Sequence, residues 1–194
     1  SVKANIFEDQ ENLYYLYNAG TLITLDKSNF NIINKYILDD LNILSSLGVF
    51  DELVDSPFSF NEYLYFLDRS GKISVFNPIS SDIFWELDIN ETILSYLFSE
   101  DGYLILMTFD KILIVSKDGY IINTYNHEKE SPILIFNIQE KIYLISNEGI
   151  SKLNLNKKKE EQFYKNKFTS NLEIYYYKKN IYLKDNKSLF KLSE

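Results

Sequence analysis

His127 is the chain's single histidine, set in the run Asn126-His-Glu-Lys-Glu-Ser-Pro132. An imidazole can act as a general base near neutral pH, provided a nucleophile lies within hydrogen-bond reach and a third group orients the ring. The sequence has no Cys, and no Ser can be assigned to His127 together with such an orienting partner. The expectation for His127 is a solvated loop residue. Asp39, Asp40 and Asp82 are acids without the alternating spacing of a calcium loop, and turns or a helix cap account for them. There is no Gly-rich phosphate loop. These residue types predict no catalytic residue, no metal site, no cofactor and no enzymatic activity.

Recognition chemistry is a different matter, and residues 39 to 52 carry a pattern for it. Asp40 can cap a helix, Leu41, Leu44 and Leu47 are spaced i, i+3 along one face, and Gly48 can end the turn. The expectation is a short helix. Leu41, Leu44, Leu47 and Phe50 would either protrude and bind a partner protein or pack as a connector against neighbouring strands.

Everything around that segment reads as strands. Tyr63-Leu-Tyr-Phe-Leu67, Ile73-Ser-Val-Phe76 and Ile83-Phe-Trp-Glu-Leu87 are three apolar runs separated by Asp68-Arg-Ser-Gly-Lys72 and Asn77-Pro-Ile-Ser-Ser-Asp82. Turn residues between apolar runs predict antiparallel hairpins. The pattern repeats, with Tyr103, Ile142 and Ile181 following Leu64 in steps of 39. A second series tests the same period: Gly71, Asp110, Gly149 and Ser188 are all turn formers at steps of 39, and Gly20 precedes them by 51. The extra twelve residues fall in the 39 to 52 segment.

A fixed period of this size made of strands alone predicts an all-β fold, a β-propeller of about five four-stranded antiparallel blades. We read a single domain over residues 1–194, with units of about 8–52, 53–91, 92–130, 131–169 and 170–194. The last unit ends one strand short. Either the ring is small and closed, or the units are part of a larger one.

Composition narrows the partners. With 28 acids against 20 Lys and Arg the net charge is -8, and Arg69 is the only arginine. That field and the lack of guanidinium groups argue against nucleic acid. Residues 152 to 191 are the basic exception, with eleven Lys against four acids, and Lys157-Lys-Lys159 reads as a solvated hairpin tip. No apolar run is long enough to span a bilayer, and the first residues do not form a signal peptide. Position 1 is Ser and the only Met is Met107, so the expectation is a processed or partial chain.

The second unit reads Gly71-x-Ile-x-Val-Phe-Asn77-x-x-Ser-Ser-x-Ile-Phe-Trp85. This resembles the blade repeat of PQQ-like, quinoprotein-type propellers, in which a Trp recurs fourteen positions after the Gly. The first unit, Gly20-x-Leu-x-Thr-Leu-Asp26, keeps the frame with Asn34 in the Trp place, and the third has Asp110 for Gly and Asn123 near the Trp place. The lone Trp85 reads as a packing residue between blades. Within that group the chain is similar to the BamB family of outer-membrane assembly lipoproteins, on its blades without cofactor residues and on Ser56-Pro57 before Asn61-Glu-Tyr-Leu-Tyr65.

The resemblance implies a C-terminal part of an eight-bladed propeller. Its function would be that of a non-enzymatic scaffold binding the β-barrel assembly machinery, in the periplasm and attached to the outer membrane through a lost N-terminus. No binding residue of that family maps onto a position here. The alternatives are a ligand-binding or catalytic propeller that uses its central channel, and a cytoplasmic location. The Gly-His and Trp-Asp pairs of WD40 repeats are absent.

Overall fold

The computed structural model describes residues 4–17, 21–37, 58–127, 131–138, 141–154, 159–165, 167–168, 172–177, 180–184 and 189–192. Leu41, Leu44, Leu47 and Phe50, the expected partner-binding residues, lie outside them.

The strands fall into five antiparallel meanders. The first sheet holds β1 (Ala4–Glu8), β2 (Asn12–Tyr17), β3 (Thr21–Asp26) and β4 (Ile32–Ile37). The second holds β5 (Phe58–Phe60), β6 (Tyr63–Leu67), β7 (Lys72–Asn77) and β8 (Asp82–Asp88). The third is β9 (Ser95–Phe98), β10 (Leu104–Met107), β11 (Lys111–Val115) and β12 (Ile121–Asn126). The fourth is β13 (Pro132–Ile138), β14 (Lys141–Ser146), β15 (Gly149–Asn154) and β16 (Lys159–Lys165), and the fifth has three strands, β17 (Glu173–Tyr177), β18 (Asn180–Lys184) and β19 (Leu189–Leu192). No helix occurs among the described residues.

Continuous apolar runs form strands here because both sheet faces are covered. In β10 all four residues are buried, and they divide between two cores. Leu104 and Leu106 join Val75, Trp85 and Leu113 between the second and third sheets, while Ile105 and Met107 join Ile135, Leu144 and Leu153 between the third and fourth. Two further clusters do the same for their neighbours: Tyr14, Leu16 and Leu22 meet Leu64, Phe66 and Phe76, and Tyr143, Ile145 and Ile150 meet Leu183. Each core is thus shared by two consecutive sheets. No cluster joins the fifth sheet to the first among the described residues.

The period persists in detail. A bulge in the β3–β4 pairing at Thr24/Leu25 recurs in the β7–β8 pairing at Val75/Phe76 and in the β11–β12 pairing at Ile114/Val115, again at steps of 51 and 39. It aligns Asn34, Trp85 and Asn123 opposite Thr24, Val75 and Ile114, so the three residues share one place on the outer strand.

A clasp between sheets recurs as well. The Trp85 indole N–H donates to the Lys117 carbonyl at 2.7 Å, and the Tyr36 hydroxyl donates to the Pro78 carbonyl. Pro78 and Lys117 are 39 residues apart, so an aromatic donor on one outer strand grips the same turn of the next sheet. Trp85 is the packing residue that its place in the repeat predicts.

Candidate functional site

The strand β4 is the outer edge of the first sheet, and among the described residues it is hydrogen-bonded to β3 alone. Tyr36 turns inward and is buried, but Ile32, Ile33 and Ile37 are 67, 56 and 53% exposed, and Phe30 in the preceding turn is 68% exposed. The bulge opposite Leu25 drops Ile33 out of the ladder, so adjacent isoleucines both reach solvent. Exposed apolar side chains beside unpaired backbone groups form a surface that a partner strand can extend. The sequence signal was the pair Ile32-Ile33: an outer strand has one face to bury, and alternation can hide only one of two consecutive apolar residues.

A cavity of about 790 Å³ opens between the first and second sheets, lined by Glu8, Asp9, Glu11 and Glu62 together with Tyr14 and Phe60. Two of these four acids, Glu8 and Asp9, are engaged in the fold. Glu8 pairs with Lys27 at 3.0 Å, and the Asp9 carboxylate accepts from the Tyr14 hydroxyl and the Asn12 amide, both at 2.7 Å, and from the Glu11 amide at 2.9 Å. This carboxylate caps the β1–β2 turn.

Partial burial works to raise the Asp9 carboxyl, but the hydrogen bonds from Tyr14, Asn12 and Glu11 outweigh it and hold the group below its ordinary value. A folded value below the unfolded one adds stability that is present above the unfolded value of about 4 and is lost as pH falls through the folded value. Urea denaturation of the chain and of Asp9→Asn is therefore expected to show a stability gap at about pH 7 that narrows at about pH 3. A gap of equal size at both pH values would contradict this role.

His127 corrects its expectation. It is buried, 6% exposed, because its backbone amide donates to the Asp110 carbonyl at 3.0 Å and draws the ring beneath the β10–β11 turn. Its Nε2 lies 3.3 Å from the Thr108 carbonyl, not the hydroxyl, and its Nδ1 has no hydrogen-bond partner among the described residues. The Thr108 hydroxyl donates instead to Glu91 at 3.0 Å, and Glu91 also pairs with Lys111, whose ammonium that hydrogen bond holds above its ordinary value. Histidine and hydroxyl are near each other without forming a nucleophile–base pair. These contacts tie the β10–β11 turn to the segments before and after the third sheet.

Asp82 begins β8 and accepts from the Ser80 hydroxyl, a turn role as expected. Asp39 and Asp40 lie outside the described residues. Among those residues no three His, Asp or Glu side chains gather as metal ligands, and no helix is long and apolar enough to cross a membrane.

Five successive antiparallel sheets, each packed face to face on the next, define a β-propeller. No protein-family model and no curated protein matches the sequence. Solved structures do. BamB from Moraxella catarrhalis is 15% identical, with 81% of this chain covering 42% of that one at a TM-score of 0.55. The extracellular domain of the putative one-component system BT4673 from B. thetaiotaomicron is 17% identical, with 92% of this chain on 26% of that one and a TM-score of 0.66. The Neurospora crassa Pan2 WD40 domain is 13% identical, with 82% of this chain on 49% of that one and a TM-score of 0.53. The chain spans about half or less of each of these structures. At such identities the likeness establishes the fold, which is shared with a WD40 domain although the WD40 dipeptides are missing.

Proposed function

We propose that the chain is a non-enzymatic scaffold that binds protein, and more narrowly that it is a PQQ-like repeat chain acting as BamB-type factors do, in outer-membrane β-barrel assembly within the periplasm. The observation that carries the scaffold reading is the β4 edge, where Phe30, Ile32, Ile33 and Ile37 face solvent along a strand edge that no described residue pairs. The narrower reading is supported by the Gly71-to-Trp85 frame and by the shared architecture with BamB from Moraxella catarrhalis.

A partner strand laid along β4 would gain main-chain hydrogen bonds, and its apolar side chains would cover the isoleucines. The test is calorimetric titration of the chain with the purified central subunit of the β-barrel assembly machinery. Micromolar binding is expected, weakened about tenfold or more when Ile32 and Ile37 are both changed to Lys. No binding removes the assembly role. Binding that ignores the double substitution removes β4 as the surface.

A further inference from the structure

The row of side chains that crosses the second sheet toward the third includes Tyr65, Val75 and Trp85, each residue paired with the next. The equivalent row crossing the third sheet toward the fourth includes Ile105, Ile114 and Asn123. Two aromatic residues and a valine have become two aliphatic residues and an amide. Sheets pack about 10 Å apart whatever their side chains, so the lost volume must appear as space unless the sheets move together.

The space is there. A cavity of about 630 Å³ opens between the third and fourth sheets, walled by Ile105, Ile114 and Asn123 on one side and Ile142, Lys152 and Leu153 on the other. A second cavity of about 400 Å³ adds Leu97, Glu100 and Asn137, and the two share Ser99, Asp101, Ile105 and Ile142. Together they form a groove on the same end of the propeller as the β9–β10 and β11–β12 turns. Ile114, Asn123 and Ile142 are only half-buried in it, whereas Trp85 and Val75 are buried at the corresponding place one sheet earlier.

We propose that this groove binds a peptide segment of a partner protein through an inserted aromatic side chain, Trp or Tyr, which takes the position Trp85 occupies between the second and third sheets. The proposal rests on the scaffold reading but uses a different surface. The chain itself supplies the template for the occupant: Trp85 fills the equivalent space with its ring and satisfies its N–H on a carbonyl of the facing sheet. Here Asn123, Asn137 and Asp101 offer acceptors to an indole N–H or phenol O–H. Glu100 and Asp101 on one wall oppose Lys141 and Lys152 on the other. Opposite signs on facing walls suit the mixed charges of a peptide, not a polymer of single sign such as nucleic acid. The cleft joins an apolar floor of Ile105, Ile114, Ile142 and Leu153 to a polar rim, and a buried aromatic anchor is the usual centre of binding energy at a protein interface.

The probe is N-acetyl-tryptophanamide, with N-acetyl-alaninamide as control, titrated into the methyl-labelled full chain at millimolar concentration. Saturable shifts are expected at the methyls of Ile105, Ile114, Ile142 and Leu153, with none at Ile6 or Ile37. Asn123→Trp should fill the groove from within and weaken the probe about tenfold or more. If that variant fails to fold, intermolecular nuclear Overhauser contacts from the indole protons to Ile114 and Leu153 in the unaltered chain decide the matter. Absent or non-saturating shifts, equal shifts with the control, or probe binding undiminished in a folded Asn123→Trp overturn the proposal. None of these outcomes bears on β4, whose own titration stands or falls separately.

Discussion

Replacement of Trp85 by alanine is expected to lower the unfolding free energy by about 3–5 kcal/mol, the range for losing a large buried aromatic. That is a large share of the roughly 5–15 kcal/mol available to a small domain. Three losses combine. The ring, 8% exposed, leaves the core between the second and third sheets; its edge-on contact with Tyr65 at a centroid distance of 6.1 Å disappears; and the Lys117 carbonyl loses its donor. Trp85 is the chain's only Trp, so its fluorescence follows unfolding of the parent, and circular dichroism serves for the variant.

The partner in this packing is Gly119. A Cβ built there would lie 2.7 Å from the Trp85 ring, and its φ is +82°. Gly119→Ala therefore costs stability twice, through the ring and through the backbone. In the Trp85→Ala background only the backbone part remains. The double-mutant cycle should depart from additivity by about 1 kcal/mol or more. Strict additivity would mean that ring and glycine do not share the space the structure shows.

The second large effect is expected at Gly71. Its φ of +106° lies where a side chain is strained, and an added Cβ would stand 2.5 Å from the Glu91 carbonyl oxygen and 2.9 Å from the Glu91 nitrogen. Both obstacles are backbone and cannot rotate away. The turn is also anchored, since the Gly71 amide donates to the Asp68 carbonyl at 3.0 Å and the Gly71 carbonyl accepts from the Ile89 amide at 3.0 Å. Left-handed backbone costs about 1–2 kcal/mol and forced displacement about 1–3 kcal/mol more. Gly71→Ala should thus lose about 3 kcal/mol in urea denaturation, whereas Lys72→Ala next to it should stay within about 0.5 kcal/mol. Comparable small losses at both positions would show that the Glu91 segment yields.

The strands were legible because burial on both faces writes an uninterrupted apolar run, as in Leu104 to Met107, and because Asp, Asn and Gly punctuate it. The period was legible for a deeper reason. The bulges and the carbonyls of Pro78 and Lys117 that accept the inter-sheet clasp keep fixed offsets, so the residues that make them recur at the same spacing, while the donor shifts from the Trp85 place to Tyr36, two residues beyond it.

What escaped was set by contacts far apart in sequence. An acidic, polar surrounding made His127 look solvated, yet one backbone hydrogen bond to Asp110 carries it inside. The Ile93 amide bonds to the Arg69 carbonyl of the sheet before, and pairing in β9 begins only at Ser95. The Asn in the Trp place was visible as a departure from the repeat; that it opens space depends on which sheet faces it. For β4 the pair Ile32-Ile33 tells that one isoleucine must be exposed; that both are follows from the bulge opposite Leu25, which the sequence does not mark.

The clasp has a consequence for how such a chain can change length. Tyr36 reaches Pro78 and Trp85 reaches Lys117, each gripping the sheet that follows, so the second unit is both holder and held. Inserting or removing a few residues inside a unit would shift the donor from its carbonyl. Duplicating or deleting a whole unit would instead rejoin each donor to an equivalent turn. The tolerated step is the entire repeat, and the twelve surplus residues between the first two units sit between the end of β4 and the start of β5, where the register of neither sheet counts them. A molecule built this way is edited as one edits a chain of links, by the link.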